Sequence, residues 1–312
     1  MAHTTLVGPA RGRERTMTDN PKHYTLPDLL ITPHELSARL ESDDAQARCT
    51  TVLDLRPAEG FAAGHLPGAV HLDLFGVSLV DTEPAPLAAF LWMIGHLLTS
   101  RGVSEDTPVV VYDEQSGIRA ARAFWFLEFF GHSQARMLDG GYGAWTEAGL
   151  PTTTEALPPV PGRWNIGRDD ALLATWRDVR DRLGRAEVVM LDTRSNGEYY
   201  ATKVRAKRGG AVPGAVHIEW TENLGSDGAF KSAAELTELY AGRGVTPDKE
   251  VVSYCQGGYR AAHSYVALRL LGYPRVRNYI GSWKEWGDRE DLPIETPVPP
   301  TAAPKERKEG TA

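Results

Sequence analysis

Val251-Val252-Ser253-Tyr254-Cys255-Gln256-Gly257-Gly258-Tyr259-Arg260 is the stretch from which the fold is read. A short β-branched run stops at a cysteine, two glycines follow, and Ala261-Ala262-His263-Ser264-Tyr265 continues with helical composition. Strand, glycine-bearing turn and helix in direct succession form the repeating unit of a parallel sheet covered by helices. The glycines let the backbone curl so that successive N–H groups face one centre, which favours an anion at the helix entry. Cys255 stands at that centre and Arg260 closes the loop, so the sequence predicts a stabilised thiolate with a depressed pKa.

Outward from this loop, the chain repeats itself. The strand has a counterpart in Val109-Val110-Val111-Tyr112, and three further blocks recur in the same order. Val52-Leu53-Asp54-Leu55-Arg56 matches Met190-Leu191-Asp192-Thr193-Arg194, and His65-Leu66-Pro67-Gly68-Ala69-Val70-His71 matches Ala211-Val212-Pro213-Gly214-Ala215-Val216-His217. Asp139-Gly140-Gly141-Tyr142-Gly143-Ala144-Trp145 matches the stretch from Tyr279 to Trp286 in looser register. A spacing of about 140 residues is a whole domain, so the chain reads as two copies of one domain. The offset widens between the first two pairs of blocks, which places an insertion in the second copy around Lys203, Arg205, Lys207 and Arg208. Those cations read as a solvated loop or as help in binding an anion.

Within each copy, strand and helix alternate. Thr32 to Glu35, Thr175 to Asp178 and Ser232 to Glu235 have the pattern of helix capping boxes. Apolar spacing predicts helices over 86–99 and 258–271 and an aromatic-rich helix ending at Phe130, with strands over 51–55, 109–112, 188–191 and 251–254. Continuous apolar strands between helices indicate an α/β fold: two tandem domains, each a mostly parallel sheet with helices on both faces. The expected organisation is a flexible leader over 1–24, domains over 25–149 and 163–296, a proline-rich linker over 150–162 and a disordered tail over 297–312.

A net charge of −7 argues against a general nucleic-acid binder. No apolar run approaches the roughly 18 residues of a membrane span, because Leu87 to Leu98 is interrupted by Gly95 and His96. Arg11, Arg13 and Arg15 are not followed by the apolar core of a secretory signal, and Met17 is a second candidate start. Two cysteines make neither a disulfide framework nor a paired metal site, which predicts a reducing compartment, the cytoplasm, and no metal. Cys49 has no glycine-bearing loop or helix entry and reads as a small, buried, inert residue.

Leu191-Asp192-Thr193-Arg194, Val212-Pro213-Gly214-Ala215-Val216, the loop Cys255 to Arg260, and Gly281-Ser282-Trp283 together make the chain resemble a tandem-domain rhodanese, a thiosulfate or 3-mercaptopyruvate sulfurtransferase. The resemblance implies that Cys255 takes the outer sulfur of a donor as a persulfide and passes it to cyanide or a thiol, with no metal or organic cofactor. It implies that Gln256, Gly257, Gly258, Tyr259 and Arg260 form the donor-binding loop, with Arg194 as a further candidate contact. The duplication of Arg194 as Arg56 favours a structural role beside Asp192 instead. The first copy has Asp113 where the second has Cys255, in a loop one residue longer, and so resembles the inactive N-terminal half of this family. The active cleft is expected near the interface of the halves.

Departures from the family bear on the donor. Gln256 and Gly257 stand where mammalian thiosulfate users have basic loop residues, Tyr259-Arg260 departs from the mercaptopyruvate-type loop, and Glu198 stands where both carry an arginine. Arg260 at the loop end is similar to bacterial thiosulfate-type members, which favours thiosulfate. Trp220 is a candidate for the cleft wall or for core packing, and His263 reads as a surface or packing residue. The rival readings are a cysteine phosphatase or arsenate reductase, a Cys-His hydrolase using His263, and a noncatalytic sulfur-carrier module. The first needs five residues between cysteine and arginine to surround an oxyanion, whereas Cys255 and Arg260 enclose a shorter loop.

Overall fold

The computed structural model describes residues 20–44 and 49–299. The strands are β1 (Leu30–Ile31), β2 (Thr51–Asp54), β3 (Val70–His71), β4 (Val109–Tyr112) and β5 (Ala135–Leu138) in the first half. The second half has β6 (Leu173–Ala174), β7 (Val188–Asp192), β8 (Val216–His217), β9 (Glu250–Tyr254) and β10 (Val276–Tyr279). Each half forms a five-stranded sheet, in the orders β1-β5-β4-β2-β3 and β6-β10-β9-β7-β8. All recorded strand pairings are parallel, and the two orders are the same once the strands are matched by position. The repeat read from the sequence is therefore a repeat of topology.

Helices cover both faces of each sheet, as the unbroken apolar strands require. On the outer faces lie two separate cores, one built on Leu36, Val52, Val110 and Trp145 and the other on Val179, Val252, Trp283 and Trp286. The inner faces share one core that runs through both halves, with Leu53, Val111, Phe124, Phe126, Val251, Tyr265 and Leu268 all buried. At its centre helix Ile118–Phe129 packs on helix Tyr259–Leu270, the equivalent helix of the other copy. Each is buried nearly all round because its own sheet covers one side and its counterpart the other.

The expected capping boxes form at Thr32, Thr175 and Ser232. The helix expected over 86–99 is Pro84–Ser100, starting earlier because Pro84 suits a first helical turn. Of the expected leader, residues 1–19 lie outside the described residues, as do 300–312 of the tail, so Met17 is not described. Residues 20–24 are not a loose leader: Tyr24 is buried with its hydroxyl on the Phe230 and Lys231 carbonyls, and Lys22 pairs with Asp139 at 2.5 Å. This segment ties one half to the other. Cys49, expected to be buried, is exposed, because it precedes β2 and contributes nothing to either face of the sheet. No helix among the described residues is long and apolar enough to cross a membrane.

Candidate active site

Strand β9 ends at Tyr254 and the helix starts at Tyr259, which leaves four residues to turn the chain. Gly258 turns at φ 84, where a side chain is strained, and an added Cβ would lie 3.2 Å from the Ile280 backbone. Cys255 is thereby held at the floor of the turn. Its own N–H donates to Ser282 Oγ at 3.1 Å, and its carbonyl accepts from the Trp283 N–H at 2.9 Å. Around the sulfur, the N–H groups of Gly258 and Gly257 approach Sγ at 3.1 and 3.4 Å. Burial by itself raises the Cys255 pKa, but the Arg260 charge and the N–H groups of Ala261, Gly257 and Arg260 outweigh it and hold the thiol below its ordinary value.

Arg260 leans over the sulfur from the first turn of the helix. Its guanidinium also grips Glu198 through two bonds of 2.6 and 3.0 Å. Burial opposes ionisation of Glu198, yet the hydrogen bonds and charge of Arg260, with Ser195, pull its carboxyl down to about 2. Glu198 is thus the anchor that aims Arg260. The sequence marked it only as an acid where related enzymes carry a base, because the partner lies on a different element.

A cleft of about 500 Å³ opens above the sulfur, lined by Cys255, Gln256, Gly257, Tyr259 and Arg260 from the loop. Arg205 of the insertion and Lys284 join them from the second half, and Phe75, Gly76, Ser78 and Ile118 close the cleft from the first half. Of the basic insertion, Arg205 alone reaches this lining, while Arg208 donates to the carbonyls of Trp286, Gly287, Arg289 and Leu292 and pins the segment 286–292. Gln256 spends its amide N–H on the Arg205 carbonyl at 2.9 Å. Tyr259 turns its ring to the cleft, but its hydroxyl is committed to the Leu74 and Val77 carbonyls of the first half.

The candidate contact Arg194 does not belong to this cleft. It is fully buried, donating from Nε to both Asp192 oxygens and from Nη2 to Asp192 and the Gly210 carbonyl, with Trp283 stacked 4.4 Å away. Arg56 repeats this pattern on Asp54 and the Gly64 carbonyl in the half without a cysteine. Arg194 is accordingly a structural residue that fixes the turn after β7. Trp220 meets His263 edge-on at 5.0 Å and does not line the cleft. Burial lowers the His263 pKa to about 4, and its Nε2 lies 2.8 Å from the Ser116 carbonyl, so it is a packing residue with no proton to exchange near neutrality.

In the first half the same turn holds an anion of its own. Asp113 accepts from the N–H groups of Gly117, Arg119 and Ala120 at 2.9, 2.9 and 3.1 Å. Burial nevertheless raises its pKa to about 6. The carboxylate occupies the place that the sulfur has in the second half.

Sequence reading missed Glu198, Ser282 and Arg122, each a partner supplied by a distant segment. Arg122 carried one visible signal, a cation in the middle of the small and aromatic run Ala120-Ala121-Arg122-Ala123-Phe124-Trp125-Phe126.

The model of the rhodanese-like domain matches residues 32–148 and again 175–289. Over 275 residues the chain is 35% identical to a thiosulfate sulfurtransferase of Pseudomonas aeruginosa, covering 86% of this chain and 97% of that protein. It is equally 35% identical, over 286 residues, to the sulfur carrier protein TtuD of Thermus thermophilus, covering 87% and 98%. In fold it is similar to the anaerobic ergothioneine biosynthesis enzyme of Chlorobium limicola, with a TM-score of 0.74 at 22% identity over 87% of this chain and 71% of that one. Two matched domains spanning most of the chain, on two sheets of one topology, place this protein in the rhodanese-like family with its domains in tandem.

Proposed function

We propose that this chain is a thiosulfate sulfurtransferase that works through a persulfide on Cys255. The observation that carries the reading is the convergence of the Gly257 and Gly258 N–H groups and Arg260 on a buried sulfur at the floor of an open cleft. The Cys255 thiolate attacks the outer sulfur of thiosulfate, the S–S bond breaks, and sulfite departs with the electron pair. Cyanide or a thiolate then attacks the terminal sulfur of the persulfide, leaving as thiocyanate or as a new persulfide, and the Cys255 thiolate returns. Each step exchanges one S–S or S–C bond for another and needs no outside oxidant or cofactor.

Thiosulfate is favoured over 3-mercaptopyruvate because it is a compact dianion, and Arg260, Arg205 and Lys284 present three cations to the cleft. With cyanide as acceptor, kcat/KM for thiosulfate is expected to exceed that for 3-mercaptopyruvate by about tenfold, a difference of about 1.4 kcal/mol. A faster reaction with 3-mercaptopyruvate would reverse the assignment. Arg260→Gln removes the guanidinium beside the sulfur and leaves the buried Glu198 with Arg205, 3.5 Å away, as its remaining cation, and is expected to lower kcat/KM about a hundredfold. Steady-state thiocyanate formation measures both.

The name of the Thermus relative supports a second reading, a sulfur carrier that hands its persulfide to a protein partner. Persulfide on Cys255 detected by mass after thiosulfate treatment, together with negligible turnover to cyanide, would select it. The cytoplasm is the compartment that suits either reading, since an unpaired thiol that must stay reduced is the working group.

A further inference from the structure

The two halves exchange one buried basic side chain each. Arg122 and His263 occupy equivalent positions on the paired helices Ile118–Phe129 and Tyr259–Leu270. Arg122 Nη1 donates to the Gly257 carbonyl at 2.6 Å, and His263 Nε2 meets the Ser116 carbonyl at 2.8 Å. Those two carbonyls are also equivalent, each lying two residues before its helix. The exchange is therefore symmetric in geometry and unequal in charge. His263 is neutral near pH 7 because burial holds its pKa at about 4. Arg122 keeps its charge despite burial, as guanidinium does in proteins.

That charge has no carboxylate partner: among the described residues none forms an ion pair with Arg122. Its other contacts are the Val77 carbonyl at 2.9 Å, the Tyr259 ring, 3.7 Å below the guanidinium, and the Phe126 ring at 5.4 Å. A buried cation with no carboxylate beside it is costly, and the groups whose charge favours it are Tyr259 and Cys255, so the reason for its retention is to be sought at the sulfur. The reason lies in the peptide it holds. The Gly257 carbonyl and the Gly258 N–H belong to one planar, conjugated unit, and that N–H donates to Cys255 Sγ at 3.1 Å. A cation drawing on the oxygen strengthens the donor at the other end.

We propose that Arg122, supplied by the half that lacks a nucleophile, is a positioning residue for the sulfur centre: it orients and polarises the Gly257–Gly258 peptide so that the Gly258 N–H stabilises negative charge on Cys255. The proposal rests on Cys255 as the working thiol. It also gives the first half a chemical duty, since the second half alone lacks this cation. The other charged or titratable groups around the sulfur are Arg260 and Tyr259 on its own helix, Glu198 after β7, Arg205 in the insertion and Lys284 on the following helix.

The test is the pH profile of Cys255 alkylation by iodoacetamide in the full chain carrying Cys49→Ser, which removes the exposed thiol. Arg122→Met is expected to slow alkylation at pH 7 about tenfold and move the profile to higher pH. Arg122→Gln, which keeps a neutral donor, should fall between, and Arg122→Lys should recover most of the original rate. Should the Met variant fail to fold, the Gln and Lys pair carries the comparison. An unchanged profile in a folded Met or Gln variant overturns the proposal, and so does equal slowing by Gln and Lys, which would assign the effect to packing. Alkylation needs no sulfur donor. A wild-type protein that fails to turn over thiosulfate thus rejects the sulfurtransferase reading, whereas an active enzyme with unchanged alkylation rejects Arg122 alone.

Discussion

Cys255→Ser is expected to abolish thiocyanate formation from thiosulfate, by about 10⁴-fold or more, while leaving the fold within about 1 kcal/mol of wild type. The loss is that large because nothing at the site can activate a hydroxyl. A serine nucleophile needs a base to take its proton, and the nearest histidine in sequence, His263, is buried against Ser116 on the other side of the helix pair. The N–H groups around Sγ lower the pKa of a thiol effectively but leave an alcohol protonated at neutral pH. The fold tolerates the change because a serine oxygen inherits those donors and no volume is added. Cys49 offers no substitute, being exposed in a segment before β2. Turnover of thiosulfate and cyanide by purified Cys255→Ser, with circular dichroism as the folding control, measures the effect; a variant retaining more than a small fraction of the rate would remove Cys255 from the mechanism.

What was legible in the sequence is whatever is local or repeated. The strand β4 is read at its observed limits because four apolar β-branched or aromatic residues stand between polar turns. The turn after β9 is legible because glycine at 258 and an arginine at the helix entry have few other uses together. The repeat itself gave the parallel sheets, since two copies of one pattern must satisfy one topology. Cys49 was misplaced because burial depends on which side of a sheet edge a residue falls, and its position before β2 carries no periodic signal. The roles of Glu198 and Arg122 were hidden for a different reason. Arg260 and Glu198 are 62 residues apart, and Arg122 and Gly257 are 135 apart, so only the folded chain joins them. The packing of the two equivalent helices brings the second pair together, and no spacing within either copy announces it.

Asp192→Ala is expected to cost about 3–5 kcal/mol, the range for breaking one side of a buried ion pair. Asp192 and Arg194 are both buried, and the carboxylate accepts from the Arg194 backbone N–H, its Nε and Nη2, and the Tyr254 hydroxyl at 2.7 Å. Removing it strands a guanidinium whose remaining polar partner is the Gly210 carbonyl, in a site walled by Tyr254 and Trp283. The first half supplies an internal control. Asp54 binds Arg56 and the Tyr112 hydroxyl in the same arrangement, in a domain without a sulfur centre, so Asp54→Ala should destabilise by a comparable amount. Equal losses from the twin sites mean that the pair serves the turn after the second strand of each sheet and owes nothing to substrate. Replacing both partners at once, Asp192→Leu with Arg194→Met, should recover a large part of the loss, because the penalty comes from the unpaired charge rather than from the missing contact. Urea melts followed by tryptophan fluorescence report the midpoints. The shared inner core couples the halves, so a single shifted transition is the expected form. An Asp192→Ala protein melting within about 1 kcal/mol of wild type would show that Arg194 finds another anion, and the cleft would then be the place to look for it.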